Sequence, residues 1–161
     1  VAEILKIIAI TFIPTLELRA SIPYGIFGTN LSWLVVFGVS LIANIVVGII
    51  VYLLMDFIIK VLTKVTLVRR WWENYVQNTR RKIEKGVEKY GEWAVAIFIG
   101  IPLPGSGVYT GALASYLIGL KFKKFIIANI VGVIIAGIIV TAVCLTGSSA
   151  LGIFIKKPMS F

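Results

Sequence analysis

Apolar residues in this chain form long unbroken stretches instead of the alternation of a half-buried strand or the narrow stripe of a surface helix. Uncharged sequence runs from Ala20 to Met55, from Trp93 to Leu120 and from Phe125 to Ile155. About 20 apolar helical residues cross a ~30 Å hydrocarbon layer. Leu31 to Met55 and Lys124 to Thr146 therefore each predict a transmembrane helix, rich in Ile and Val. Gly38, Gly48, Gly132 and Gly137 within them allow close helix approach.

Each clean span follows a disturbed segment. The first is Ile13-Pro14-Thr15-Leu16-Glu17-Leu18-Arg19-Ala20-Ser21-Ile22-Pro23-Tyr24-Gly25, and the second is Gly100-Ile101-Pro102-Leu103-Pro104-Gly105-Ser106-Gly107-Val108-Tyr109-Thr110-Gly111. Prolines remove backbone donors and clash with the preceding turn, so Pro14, Pro23 and Pro102 are expected to break helices. The apolar flanks are roughly ten residues long, about half the hydrocarbon thickness as helix. A segment that enters to mid-depth, turns at the Pro/Gly run and returns satisfies this arithmetic. A kinked but complete transmembrane helix at each place is the alternative.

A repeat organises these pieces. Ile42-Ala43-Asn44-Ile45-Val46 recurs as Ile127-Ala128-Asn129-Ile130-Val131, an offset of 85 residues that also pairs Ser21 with Ser106, Tyr24 with Tyr109 and Ala9 with Ala94. Duplication explains several matches at one offset. A hairpin plus one crossing per half makes an odd count, so the halves would be inverted. Two crossings per half would make them parallel. Between the halves, residues 56–92 carry nine cations and five acids, with apolar residues at helical spacing. Arg69, Arg70, Trp71, Trp72, Arg80, Arg81 and Lys82 mark a basic amphipathic helix on a membrane surface, cytoplasmic by the positive-inside tendency. Only the inverted arrangement also puts Lys121, Lys123 and Lys124 on that side.

The expected architecture is an all-α integral membrane protein of one domain in the cytoplasmic membrane. Residues 3–58 form the first repeat, 59–92 the linker helix, 93–150 the second repeat and 151–161 a tail. Composition agrees: 59% of 161 residues are hydrophobic, 14% are charged and mean hydropathy is +1.01. A soluble monomer of this size could not bury so much apolar surface. With no His and one Cys, neither a disulfide framework nor a Cys/His metal site is expected, and no cofactor. No cationic leader opens the sequence, so secretory processing is not expected. Interleaved Glu residues and the flanking spans argue against a nucleic-acid partner for the +9 net charge.

The run from Pro14 to Pro23, with Leu-Glu-Leu-Arg-Ala-Ser-Ile-Pro, and Pro102-Leu-Pro-Gly-Ser-Gly resemble the small multidrug export family of prokaryotic membrane proteins. That family looks distantly related to the DedA superfamily of lipid scramblases and polyprenyl-phosphate translocases. The likeness implies two opposed re-entrant hairpins holding a buried carboxylate and arginine, matched in the first hairpin by Glu17 and Arg19. The second hairpin lacks the arginines expected of DedA proteins.

Glu17 is the only acid between Lys6 and Asp56. Desolvation near mid-membrane favours its neutral form, which makes it the candidate for proton coupling. A structural ion pair with Arg19 is the plainer alternative. Positions 17 and 19 diverge on a helix and share a face on an extended tip. Arg19 suits a phosphate or carboxylate headgroup, or backbone carbonyls at the tip. Asn44 and Asn129 sit inside the clean spans, where an amide must find a partner: substrate or the opposing tip. Pro104, Gly105, Ser106, Gly107, Tyr109 and Thr110 complete the candidate substrate site, with hydroxyls beside a Gly-rich turn; Gly107 and Gly111 alternatively form a small-residue packing pair. No nucleophile–base pair suggests an enzyme.

The expected function is proton-linked transport of an amphiphile with an anionic headgroup, such as a lipid phosphate, through a midplane site between opposed hairpins. Export of hydrophobic cations and a non-transport membrane scaffold are the alternatives. Expected partners are membrane lipids, the small amphiphilic substrate, protons and further copies of the chain, as a homodimer or larger oligomer.

Overall fold

The computed structural model describes residues 1–63, 74, 77–78, 90–102 and 105–155, of which 62–63 and 148–155 are described by their backbone alone. Most of the basic segment, including Arg69, Arg70, Trp71, Trp72, Arg80, Arg81 and Lys82, lies outside the described residues, as does Pro104. Among the described residues six helices are given bounds: α1 (Ala2–Thr11), α2 (Glu17–Gly28), α3 (Trp33–Thr63), α4 (Glu92–Gly100), α5 (Val108–Leu117) and α6 (Phe122–Ile155). No strand occurs among the described residues.

Two of the helices are long and apolar enough to cross a membrane, over Trp33–Val61 and Phe122–Gly147. Both run past the charge-free stretches in the sequence, because a helix that leaves hydrocarbon keeps its backbone paired in water as well. The other four have 9 to 12 residues, about 14–18 Å each.

Contacts along the helices fix their directions. On α2 and α3, Glu17 meets Asn44, Ser21 meets Ser40 and Gly25 meets Val36. Each step advances four residues on one helix and retreats four on the other, so the pair is antiparallel. The approach is close: a β-carbon on Gly25 would lie 2.3 Å from Val36 Cγ1. Helices α3 and α6 are antiparallel too, with Gly48 against Asn129 and Leu41 against Gly137. Helix α4 runs beside α6 in the same direction. Glu92 pairs with Lys124 at 3.0 Å where both begin, and Gly100 packs against Ile135 further along.

Helix α5 turns back along α4, and its far end reaches α3. There Tyr116 donates its hydroxyl to the Asp56 carboxylate, and Tyr52 donates to the Leu120 carbonyl at 2.6 Å. The Tyr52 ring stacks on Phe125 with centroids 4.5 Å apart and meets Tyr116 edge-on at 6.3 Å. Asp56, Glu92, Lys124 and this aromatic cluster thus share one end of the bundle, called here the lysine end. Trp33 stands at the opposite end of α3.

One expected break is not a break. Pro23 lies inside α2, and the first chain reversal falls at residues 12–16 instead. An interior proline forfeits the single hydrogen bond its N–H would have made to the Arg19 carbonyl. The packing of α2 on α3 carries the helix through it.

Two glycines separate packing from intrinsic helix propensity. Gly111→Ala drives a β-carbon to 2.5 Å from the buried Ile99 side chain, an overpacking cost of about 1–3 kcal/mol. Gly38→Ala meets nothing within 4 Å and gains up to about 1 kcal/mol of helix propensity. Thermal unfolding in detergent should show shifts of opposite sign.

Candidate functional site

The first reversal is built from tight turns. Phe12 N–H donates to the Ile8 carbonyl, Ile13 to Ile10, and both Leu16 and Glu17 to Ile13, at 3.1–3.2 Å. Pro14, which has no N–H to satisfy, sits at the middle of it. Thr15 (φ 75) and Glu17 (φ 48) occupy the left-handed region. A β-branched Thr there is a genuine outlier, and such strain persists only when surrounding contacts hold it. For Glu17 those contacts come from the second broken segment.

Glu17 is 3% exposed. Its carboxylate accepts from Val108 N–H at 3.3 Å and, more loosely, from Tyr109 N–H at 3.5 Å. These are the first two amides of α5, which no residue of the helix can satisfy. The helix's own cap position is Gly107, which has no side chain. A carboxylate from 90 residues earlier takes that role, and it also favours the positive end of the α5 dipole.

Arg19 does the complementary work. Its Nη2 donates to Ser106 Oγ at 3.0 Å and to the Ile101 carbonyl at 3.4 Å. Ser106 Oγ donates to the same carbonyl at 2.5 Å. Ile101 is the C-cap of α4, so a cation faces the negative end of that helix. Glu17 and Arg19 also attract each other electrostatically, and this one turn of α2 serves both ends of the second break. The exchange is reciprocal: Tyr109 Oη donates at 2.6 Å to the carbonyl of Phe12, the C-cap of α1.

Asn44 donates its amide to Glu17. One helical turn away lies a buried hydroxyl chain. Thr11 Oγ1 is 2.8 Å from both the Ile7 carbonyl and Ser21 Oγ, and Ser21 donates to Ser40 at 3.0 Å. Thr11, Ser21 and Ser40 are fully buried. Neither Thr11 nor Ser40 was a candidate from the sequence. The spacing Ser40–Asn44 on α3, matched by Glu17–Ser21 on α2, is the signal that would have found Ser40.

Asn129 is elsewhere. It donates to the Ile45 carbonyl at 3.1 Å and lies against Gly48, joining α6 to α3 without reaching either break. Thr110 is half-buried in the first turn of α5, and Gly105 is exposed at the second break. Pro102 and Pro23, from the two segments, wall a cavity of about 300 Å³ with Arg19, Ile139, Val140, Val143 and Cys144. Among the described residues, no group of acids or cysteines could hold a metal ion.

A family model described as "Putative small multi-drug export protein" matches residues 17–139. The chain belongs to this family. The match begins at Glu17, after Pro14, and takes in the rest of the first broken segment, the second one and the first half of α6. No curated protein and no solved structure matches the chain. With its two long apolar helices, this member of an export family is a membrane protein.

The two glycines of the second break should respond differently. At Gly107 (φ +140) a β-carbon would lie 2.4 Å from Glu17 Oε2. Gly107→Ala therefore strains the backbone and pushes the cap away, and should lower stability by about 3 kcal/mol or more. Gly105 (φ +81) has open space around it, so Gly105→Ala should cost only about 1 kcal/mol. Chemical or thermal unfolding of the two purified variants measures the difference.

Proposed function

We propose that the chain is a proton-linked membrane exporter for a small amphiphile with an anionic headgroup, worked by two opposed re-entrant segments that latch at mid-depth through Glu17. The observation that carries this reading is the Glu17 carboxylate of one broken segment capping α5 of the other.

Depth along α3 supports it. Asn44, the partner of Glu17, stands eleven residues after Trp33 and twelve before Asp56, about 16–18 Å from each. From there α2 runs toward the Trp33 end and α5 toward the lysine end. Helix α4 enters beside α6 from the lysine end and stops at the Arg19 contact. Arms on opposite sides of the midplane, with antiparallel α3 and α6, are what an inverted repeat of hairpin plus span requires. Asp56, Glu92 and Lys124 then share one membrane surface, the cytoplasmic one by the charge of the linker. Broken helices meeting at mid-depth are a recurring substrate-site design in transporters.

Proton uptake by Glu17 turns one of its two acceptor oxygens into an O–H facing backbone N–H donors. The cap weakens and the two segments can part. Rocking of one half against the other then exposes the site to the opposite surface. The family's description points to export, and the charge lining the cavity is Arg19 rather than an acid, which favours an anionic over a cationic cargo. A second copy of the chain is proposed to cover the exposed first reversal at Phe12, Ile13 and Leu16, since irregular backbone at mid-depth needs protein around it.

Glu17→Gln keeps the shape and one acceptor oxygen but cannot take up a proton. In proteoliposomes with an imposed proton gradient it should abolish gradient-driven transport of an alkyl phosphate while eluting as wild type in size exclusion. Gradient-driven transport at the wild-type rate would remove the coupling role.

A further inference from the structure

The two spans α3 and α6 meet along a tight seam. A β-carbon on Gly48 would lie 2.6 Å from the Asn129 side chain, and one on Gly137 would lie 2.9 Å from Leu41 and 3.0 Å from Phe37. On one side of this seam, running toward Trp33, lies a groove of about 590 Å³ walled by Trp33, Phe37, Ile134, Ile138 and Thr141. Among the described residues that line it, none is charged. It is separate from the cavity beside Arg19, because the residues α6 gives to each fall on opposite faces of the helix, roughly 180° apart at 100° per residue.

The length of the groove is informative. Helix α6 lines it from Ile134 to Leu145, about 16 Å of helix. Half of a ~30 Å hydrocarbon layer is about 15 Å. Trp33 stands at the outer end of this stretch, and indole rings favour the boundary between headgroups and tails. One acyl chain descending from the leaflet at the Trp33 end has the reach to fill it.

The wall also holds one polar group with nothing to bind. Thr141 is 5% exposed, and its hydroxyl has no hydrogen-bond partner among the described residues. A threonine on a helix commonly returns its hydroxyl to the carbonyl one turn back. Thr11, Thr29 and Thr146 do so at 2.6–2.8 Å, whereas Thr141 does not. A buried hydroxyl left unpaired is costly, and a bare methylene chain offers it no acceptor. An ester carbonyl does, and in a glycerolipid it sits where the acyl chain leaves the headgroup. Thr141 is four residues, about 6 Å, along α6 from Leu145 at the Trp33 end, the depth of that carbonyl.

We infer that this groove seats one acyl chain of a membrane glycerolipid from the leaflet at the Trp33 end, with an ester carbonyl accepting from the Thr141 hydroxyl. The wall selects the chain and its carbonyl, and carries no charge with which to select a headgroup. The seated chain bridges α3 of the first half to α6 of the second and props the two spans at their present separation. A second copy of the chain is the poorer occupant: the exposed faces of α3 and α6 present residues such as Ile42, Val46, Ile127 and Val143, which leave the hydroxyl unpaired.

The test compares two lipids that differ only in that carbonyl. Native mass spectrometry of the protein from maltoside micelles, titrated with dioleoylphosphatidylcholine or with its diether analogue bearing the same chains, reads the tightest bound lipid. A zwitterionic headgroup keeps the chain's many cations out of the comparison. The ester lipid should bind about fivefold more tightly, the worth of a neutral hydrogen bond. Thr141→Val keeps the side-chain shape and should erase that preference. Ala142→Trp, at an exposed position in the groove wall, fills the space and should remove the tightest lipid of either linkage.

Equal binding of the two lipids by the wild type would overturn the inference, as would an ester preference that survives Thr141→Val. So would lipid binding unchanged in Ala142→Trp. A dimer that Ala142→Trp dissociates, with neither lipid bound by the wild type, would assign the groove to a second copy instead. None of these readouts involves a proton gradient, so they stand apart from the coupling role of Glu17.

Discussion

The architecture depends on how the chain ends its interrupted helices. Each one leaves unsatisfied N–H groups at one end and carbonyls at the other, which are costly wherever they are buried without a partner. The first turn of α2 answers both demands of the second interruption, Glu17 at the start of α5 and Arg19 at the end of α4. Tyr109 answers one demand of the first. Neither broken segment is complete without the other. Their mutual capping also explains how Glu17 is held in a left-handed conformation that an isolated turn would avoid.

For the capping to register, α2 must sit at one height on α3. The steps Glu17–Asn44, Ser21–Ser40 and Gly25–Val36 set that height. A slide of one turn would strand buried hydroxyls against aliphatic side chains, and the tight Gly25–Val36 contact would be lost. Polar groups in an apolar bundle thus specify position more than they add stability, since lipid competes poorly for hydroxyls but well for methyl groups.

The sequence revealed the broad plan more readily than the partnerships. Long charge-free stretches marked α3 and α6, though not their ends, because hydropathy records hydrocarbon rather than helix. Pro14, Pro102 and the glycines from 105 to 107 marked the reversals. Pro23 misled, since a proline with good packing on both sides costs a helix one bond and no turn. Glu17 and Arg19 stood out as rare charges in an apolar region. What they cap did not, because those groups are backbone atoms some 80 to 90 positions away. Asn44 and Asn129 share identical local sequence yet serve different ends, one a carboxylate and the other a carbonyl of the neighbouring span. Local pattern cannot carry that distinction.

The cluster at the lysine end has a directional consequence. Tyr52, Tyr116 and Phe125 interlock there, and two phenolic hydroxyls are tied to Leu120 and Asp56. No comparable aromatic plug is found among the described residues around Arg19. On the transport reading, this conformer is bolted at the cytoplasmic face and unlocked toward the other. A carrier with both doors ajar would be a leak, so opening inward must first unstack these rings, and their grip sets a threshold for the return half of the cycle.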